Sequence, residues 1–282
     1  MKIRLSLPIA VLVAALPLLI FAMVVAVLYI REQDGTREAV LHHGAERLLL
    51  AVDRQISNEI ETLGALAVSP ALDALDLDAF AIHAKRTLDQ HPNWLNIVLT
   101  TRERKLFDAR SGDAIPNAPI PNTDDIREVF DTARPTVSDL VLWPDWPVPS
   151  VVYIRSPVVS GRKVTHALSA VLSSVVFAEV LRDQLAGGNW QAAVIDGDGR
   201  VIASSGRRGA EAGETVQPPP PGLFHTDDPA AHWSEGVALR SSLTGWTVVA
   251  GIPPNQAGYL DAAPALAVLG GGLIAAVIAG LL

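Results

Sequence analysis

Tyr153 and Arg155 stand two residues apart in the apolar run Val151 to Val158, so a β-strand there would put both on one face. A guanidinium in that position can hold a carboxylate through two parallel hydrogen bonds. The carboxylate is either a ligand's or a protein side chain's, with Asp108 and Asp145 as candidates for a structural ion pair. Just upstream, Trp143-Pro144-Asp145-Trp146-Pro147-Val148-Pro149 places two of the six tryptophans within four residues. Indole faces beside a carboxylate can wall and orient a small cationic or zwitterionic ligand. The alternative is a proline-stiffened loop whose indoles cap the core. His166 shares a strand face with Val164, Leu168 and Ala170, which suits a hydrogen-bonded core histidine or a ligand contact. The candidate ligand-binding set is Asp108, Arg110, Trp143, Asp145, Trp146, Tyr153, Arg155 and His166.

Other chemistries find little support. The chain has no cysteine, which excludes disulfides, thiolate nucleophiles and Cys-based metal sites. It has no Gly-x-Ser-x-Gly, no His-Glu-x-x-His and no phosphate loop. Asp196-Gly197-Asp198-Gly199 is flanked by strand patterns and lacks the late glutamate of a calcium loop, so it reads as a hairpin turn. His42 and His43 are adjacent on a helix and point to different sides, a poor metal pair. Asp124-Asp125 reads as a helix start and Asp227-Asp228 as loop. No catalytic residue, metal or cofactor is expected, and the chain is not expected to be an enzyme.

The elements that must carry the candidates follow from periodicity. Residues 36–68 read as a long helix with a narrow stripe, Ala45, Leu49, Val52, Ile56, Ile60, Leu63 and Ala67, closed by Ser69-Pro70. Glu46, Arg47, Asp53, Arg54, Asn58 and Glu59 fall mostly off that stripe. A second helix spans about Leu77 to Gln90. The period then changes to two. Leu95 to Thr100 and Leu106 to Ala109 form a hairpin, and a short helix begins at Thr123 with Ile126, Val129, Phe130 and Ala133 on its buried face. Strands follow at Val137 to Trp143, Val151 to Val158 and Val164 to Leu172, then a helix from Ser173 or Ser174 to about Leu185. Beyond Gly187-Gly188 come strands at Gln191 to Ile195, Arg200 to Ser204, Trp233 to Arg240 and Gly245 to Gly251, with 206–230 a Gly/Pro loop.

Two uncharged runs bracket all of this: Leu5 to Ile30, and Ala262 to Leu282 at the end of the sequence. Each is long enough to cross a bilayer as a helix. A cleaved signal peptide is the alternative for the first, which is longer than a signal core and lacks a cleavage site; a buried or amphipathic helix is the alternative for the Gly- and Ala-rich second. Lys2 and Arg4 place the amino terminus in the cytoplasm, and residues 31–261 outside it. All 30 acidic residues fall in that segment against 20 of the 22 basic ones, a net charge of −10 with histidine neutral. Such a surface excludes nucleic acid as a partner and disfavours broad contact with anionic lipid.

The order of these elements resembles the double Cache family of extracytoplasmic sensor domains. The resemblance is carried by the hairpin Asn96 to Ala109, the pair Val151 to Val158 and Val164 to Leu172, the turn segment Val194 to Ser204, and Thr244 to Pro253. It covers residues 35–258. It implies an α+β fold in which a long N-terminal helix precedes two PAS-like modules with antiparallel sheets, bracketed by two transmembrane helices. The expected organisation is a cytoplasmic N-terminus 1–4, transmembrane helix 5–30, signalling and dimerisation helix 31–70, membrane-distal module 71–187, membrane-proximal module 188–258 and transmembrane helix 260–282. The family's amino-acid-binding subset carries an arginine followed closely by Trp and Tyr; here Arg110 is followed by Ser111-Gly112-Asp113-Ala114, so an amino-acid ligand is not supported. A carboxylate or zwitterion in the distal module, a homodimer, and a bacterial inner-membrane receptor with its sensing region in the periplasm are what the resemblance implies. Its output would be a histidine kinase in the first place, carried by a domain absent from this sequence. The alternatives are a two-span adaptor whose outer domain binds a protein partner, and a membrane-tethered hydrolase.

Overall fold

The computed structural model describes residues 38–110, 123–143, 150–185, 190–206, 211–226, 228 and 231–252. The apolar runs 5–30 and 260–282 lie outside these, as do Asp145 and Trp146. Among the described residues no helix is long and apolar enough to cross a membrane.

Helix α1 is helical from 38 to 67. Its stripe is buried at Ala45, Val52, Ile56, Leu63 and Ala67, joined by Leu48. One polar residue departs from the expected pattern: Glu59 is buried, because its carboxylate accepts hydrogen bonds from Trp94 Nε1 and Gln55 Nε2, each at 2.6 Å. After α2 (Pro70–Asp73), α3 (Leu77–Gln90) starts at Asp76, whose side chain accepts from the Ala79 amide at 3.0 Å. This is an N-cap bond that satisfies a helix-end donor.

Among the described residues, eleven strands form two antiparallel sheets. The first contains β1 (Trp94–Thr100), β2 (Lys105–Asp108), β3 (Thr136–Val137), β4 (Val141–Leu142), β5 (Ser150–Ser160) and β6 (Lys163–Ser173), in the order β2-β1-β6-β5-β3 with β4 also on β5. The second contains β7 (Gln191–Ile195), β8 (Val201–Ser204), β9 (Gly222–His225), β10 (Glu235–Arg240) and β11 (Thr247–Ile252), in the order β8-β7-β11-β10-β9. With β3 and β4 taken as one interrupted strand, the two orders are the same. Helix α4 (Thr123–Thr132) and helix α5 (Val175–Gln184) complete the described elements.

Three elements differ from the sequence reading. The strand expected over 137–143 is broken at 138–140, where Asp139 and Leu140 leave the sheet. The Gly/Pro loop contains β9, an edge strand, which suits a segment entered through prolines that cannot donate to a ladder. Ala133 is exposed, not buried, because the chain turns there with φ 53°.

One apolar cluster joins α1 to the inner faces of both sheets. It takes Ile97, Leu99, Val152, Ile154, Leu168, Ala170 and Leu172 from the first, and Ala192, Val194, Ile202, Val248 and Ala250 from the second. Phe177 of α5 meets Trp246 edge-on at 5.4 Å, and Ser241 Oγ donates to Asp53 of α1 at 2.7 Å. Since side chains alternate along a strand, burying these positions turns Asn96, Val98, Tyr153, Arg155, Ser169 and Val171 to the outer face of the first sheet.

Candidate ligand-binding site

That outer face forms a cavity of about 310 Å³, at the small end of the range for ligand pockets. Its floor comes from β1, β5 and β6, its side from Lys105 and Asp108 of β2, and its cover from Ile126 of α4 and from Trp143.

Arg155 is the most deeply placed charge, 1% exposed. Its Nη1 donates to Asp125 Oδ2 at 3.1 Å, and its guanidinium carbon lies 4.8 Å from the centre of the Tyr153 ring, within cation–π reach. Burial pushes the guanidinium below its ordinary value, against the pull of Asp125 and Tyr153. Burial likewise pushes Asp125 up, and Arg155 only partly offsets this while Asp139 adds to the rise. Both partners are displaced toward their neutral forms, so the loss of water outweighs their mutual attraction. Burial also pushes the Tyr153 phenol up. The Tyr153 hydroxyl is buried and has no hydrogen-bond partner among the described residues. Trp143 stands edge-on to the Tyr153 ring at 6.2 Å.

The opposite wall is an ordered acidic centre. Asp108 Oδ1 accepts from Asn96 Nδ2 at 2.8 Å and from the Arg110 amide at 3.2 Å, and Oδ2 accepts from Lys105 Nζ at 2.7 Å. Burial alone would raise this carboxyl; the bonds from Lys105 and Asn96, with the charge of Lys105, hold it below its ordinary value. Asn96 is itself fixed, its Oδ1 accepting from the Ile97 and Arg110 amides.

Of the residues singled out from sequence, the structure brings together Asp108, Trp143, Tyr153 and Arg155 around the cavity. Arg110 is not among the residues lining the cavity; its backbone amide binds the Asp108 centre while its side chain reaches Leu95 O at 3.4 Å. His166 is elsewhere, paired with Val158 on β5 and bonded to Thr165 Oγ1 at 3.0 Å, with burial pushing its pKa down. It shares strand parity with Leu168 and Ala170, which face the opposite side of the sheet. Among the described residues Arg155 pairs with Asp125, a partner the sequence reading did not name. Asp125 escaped the sequence reading because an acidic pair in the first turn of a helix already has an explanation in the helix dipole. Asn96 and Lys105 were also missed; a polar residue inside the apolar run Leu95 to Leu99 was the available signal for the first.

Among the described residues, no group of three or more His, Cys, Asp or Glu could hold a metal ion. No protein-family model matches the chain. No curated protein matches it by sequence. Solved structures do share its fold. The ligand-binding domain of the amino-acid chemoreceptor PctB of Pseudomonas aeruginosa PAO1, in complex with L-Arg, is 17% identical at a TM-score of 0.57, covering 78% of this chain and 96% of that one. The ligand-binding domain of the Pseudomonas fluorescens chemoreceptor CtaA, in complex with L-isoleucine, is 12% identical at 0.55, covering 82% and 97%. The extracellular domain of mmHK1S-Z2, described as a histidine kinase, is 11% identical at 0.57, covering 78% and 97%. The chain therefore has the fold of these ligand-binding domains, the double Cache fold that its sequence resembles.

Proposed function

We propose that this chain is the extracytoplasmic ligand-sensing and membrane-anchor portion of a bacterial transmembrane receptor, with a small carboxylate or zwitterion bound in the cavity of the first sheet. The observation that carries the reading is the cavity's chemistry: a guanidinium 1% exposed, beside a phenol whose hydroxyl has no partner among the described residues. A buried donor left bare costs about 1–3 kcal/mol, so an acceptor brought by a ligand would be well received. Arg155 and Lys105 supply positive charge for a carboxylate. Trp143 and Tyr153 supply aromatic faces for an apolar or cationic portion.

The fold is common to ligand-binding domains of chemoreceptors and of proteins described as histidine kinases, and the kinase output is the one we favour. A net acidic segment between two apolar runs fits a sensing region in the periplasm and anchors in the inner membrane. A homodimer is part of the same reading. The PctB and CtaA domains were obtained with L-Arg and L-isoleucine, which puts zwitterions in the first test panel although Arg110 lacks the aromatic neighbours of the amino-acid-binding subset.

The test is a thermal-shift screen of the full chain in lipid nanodiscs against carboxylates, amino acids, amines and purines. A ligand specific to the folded state stabilises it by about 2.7 kcal/mol at a hundredfold excess over Kd. The expected result is a dose-dependent rise in Tm that is weakened in Tyr153→Phe and lost in Arg155→Lys, because a lysine cannot reproduce the two-pronged geometry. No shift with any class refutes the reading.

A further inference from the structure

The broken strand between Thr136 and Trp143 pairs with the cavity residue Arg155 at one end, lines the cavity with Trp143 at the other, and reaches the second sheet in its middle. Thr136 lies opposite Arg155 in the β3–β5 ladder, and Trp143 stands over Tyr153. Ser138 stays on β5: its amide donates to Tyr153 O at 2.9 Å, and its Oγ accepts from the Tyr153 amide at 2.9 Å. The next two residues leave the first sheet and reach the β7–β8 turn. Asp139 Oδ1 accepts from the Gly197 amide at 3.0 Å, and the Leu140 amide donates to Asp196 Oδ2 at 3.0 Å.

These two bonds are reciprocal: each segment offers one carboxylate and one amide to the other. They are also well fixed. Asp196 is 2% exposed, and its other oxygen accepts from the Asp198 and Arg200 amides at 3.0 and 2.8 Å, which builds the turn itself. Leu140 is buried in the shared core. A few residues on, Leu142 packs against Gly213, where an added Cβ would come within 3.1 Å of it. A hairpin turn closes without help from elsewhere in the chain, and a β-strand does not need to break to pair with its neighbour. The break at 138–140 makes sense as the place where one element holds both sheets.

We propose that residues 136–143 are a strap that couples the cavity of the first sheet to the β7–β8 turn of the second, with Asp139 and Asp196 as the positioning residues. This rests on the reading of the cavity as a ligand site for what the strap reports, but not for the coupling itself. A ligand that draws on Arg155 or Tyr153 displaces Thr136 and Ser138, and through them the pair of bonds to Asp196 and Gly197. The coupling is reciprocal, so loosening the clasp at the second sheet must loosen the cavity wall.

The experiment is hydrogen–deuterium exchange on the full chain in nanodiscs, which needs no ligand. In Asp139→Ala, exchange in the peptide carrying the Tyr153 and Arg155 amides should rise about fivefold, the lower end of ordinary coupling between sites. The turn between β1 and β2, residues 101–104, which contributes nothing to the cavity lining, should stay unchanged. In the reverse direction, Arg155→Met should speed exchange at Leu140 and Gly197. If that variant fails to fold, the charge-free pair Arg155→Met with Asp125→Asn takes its place. Faster exchange confined to Gly197 in Asp139→Ala, with Tyr153 and Arg155 as protected as before, overturns the strap. Exchange coupling in both directions together with an empty ligand screen would sink the sensor reading and leave the strap standing.

Discussion

Replacing Asp125 by Asn removes a countercharge of a guanidinium that is 1% exposed while leaving helix α4 and the cavity shape in place. The gross attraction at 3.1 Å is about 5 kcal/mol at an effective dielectric of 20. That is not what the variant would lose. Both groups are displaced toward neutrality by burial, so much of the attraction offsets desolvation already incurred. Breaking a buried pair from one side usually costs about 3–5 kcal/mol, because the other charge stays buried. Asp125 is 24% exposed, and an asparagine oxygen can still accept one bond, which lowers the expected loss to about 2–3 kcal/mol. For a folded region of this size that is a fall in Tm of roughly 5–10 °C. The control is the double variant Asp125→Asn with Arg155→Met. A methionine fills the same space without charge, so the double variant should recover most of the loss. The assay is thermal and urea unfolding of the single and double variants with the slope m compared across them. A single variant within about 0.5 kcal/mol of wild type, or a double variant worse than the sum of its parts, would show that Arg155 is not held by this pair.

Two further outcomes follow from the same structure. Asp108 is held below its ordinary pKa, so the stability it contributes is complete above the unfolded value and lost as pH falls through the folded value. The Tm gap between wild type and Asp108→Asn should therefore be flat from pH 7 to about 5 and should shrink below about pH 4; a gap that widens on acidification refutes the assignment. Glu59→Ala strands the buried indole N–H of Trp94 and should cost about 2 kcal/mol in urea unfolding, whereas Glu61→Ala, on the same helix but exposed, should be neutral.

How much of this was legible depended on whether a residue's role was local. Helix α3 was read with its observed ends because capping and periodicity are local. Strands β5 and β6 followed from alternation, and so did the shared face of Tyr153 and Arg155. The break at 138–140 was invisible, since the bond that Leu140 makes there goes to Asp196, 56 residues away. Glu59 looked like a solvated helix position until Trp94, 35 residues on, supplied its partner. Asp125 had a sufficient local explanation, which hid a second role 30 residues away at Arg155. Strand β9 lay behind a run of prolines whose local meaning is a loop. In each case the missing information was the identity of a distant partner, which periodicity cannot supply.

The two sheets share one strand order but not one chemistry, and that contrast bears on where a ligand would sit. On the outer face of the first sheet the strands offer Asn96, Tyr153, Arg155 and Ser169 to a cavity. On the outer face of the second they offer Ala193, Ile195, Ala238 and Val249, closed over by Val201, Val216, Phe224 and Trp233 into a separate apolar cluster. A carboxylate would find a guanidinium on the first face and aliphatic side chains on the second. The same backbone plan thus carries a polar cavity in one copy and an apolar cluster in the other. A rigid unit is what a relay requires, because a displacement delivered at the β7–β8 turn moves a well-packed sheet as a body and does not dissipate within it. Under the proposed reading, binding falls to the first sheet and response to the second, with α1 and the strap as the physical links between them.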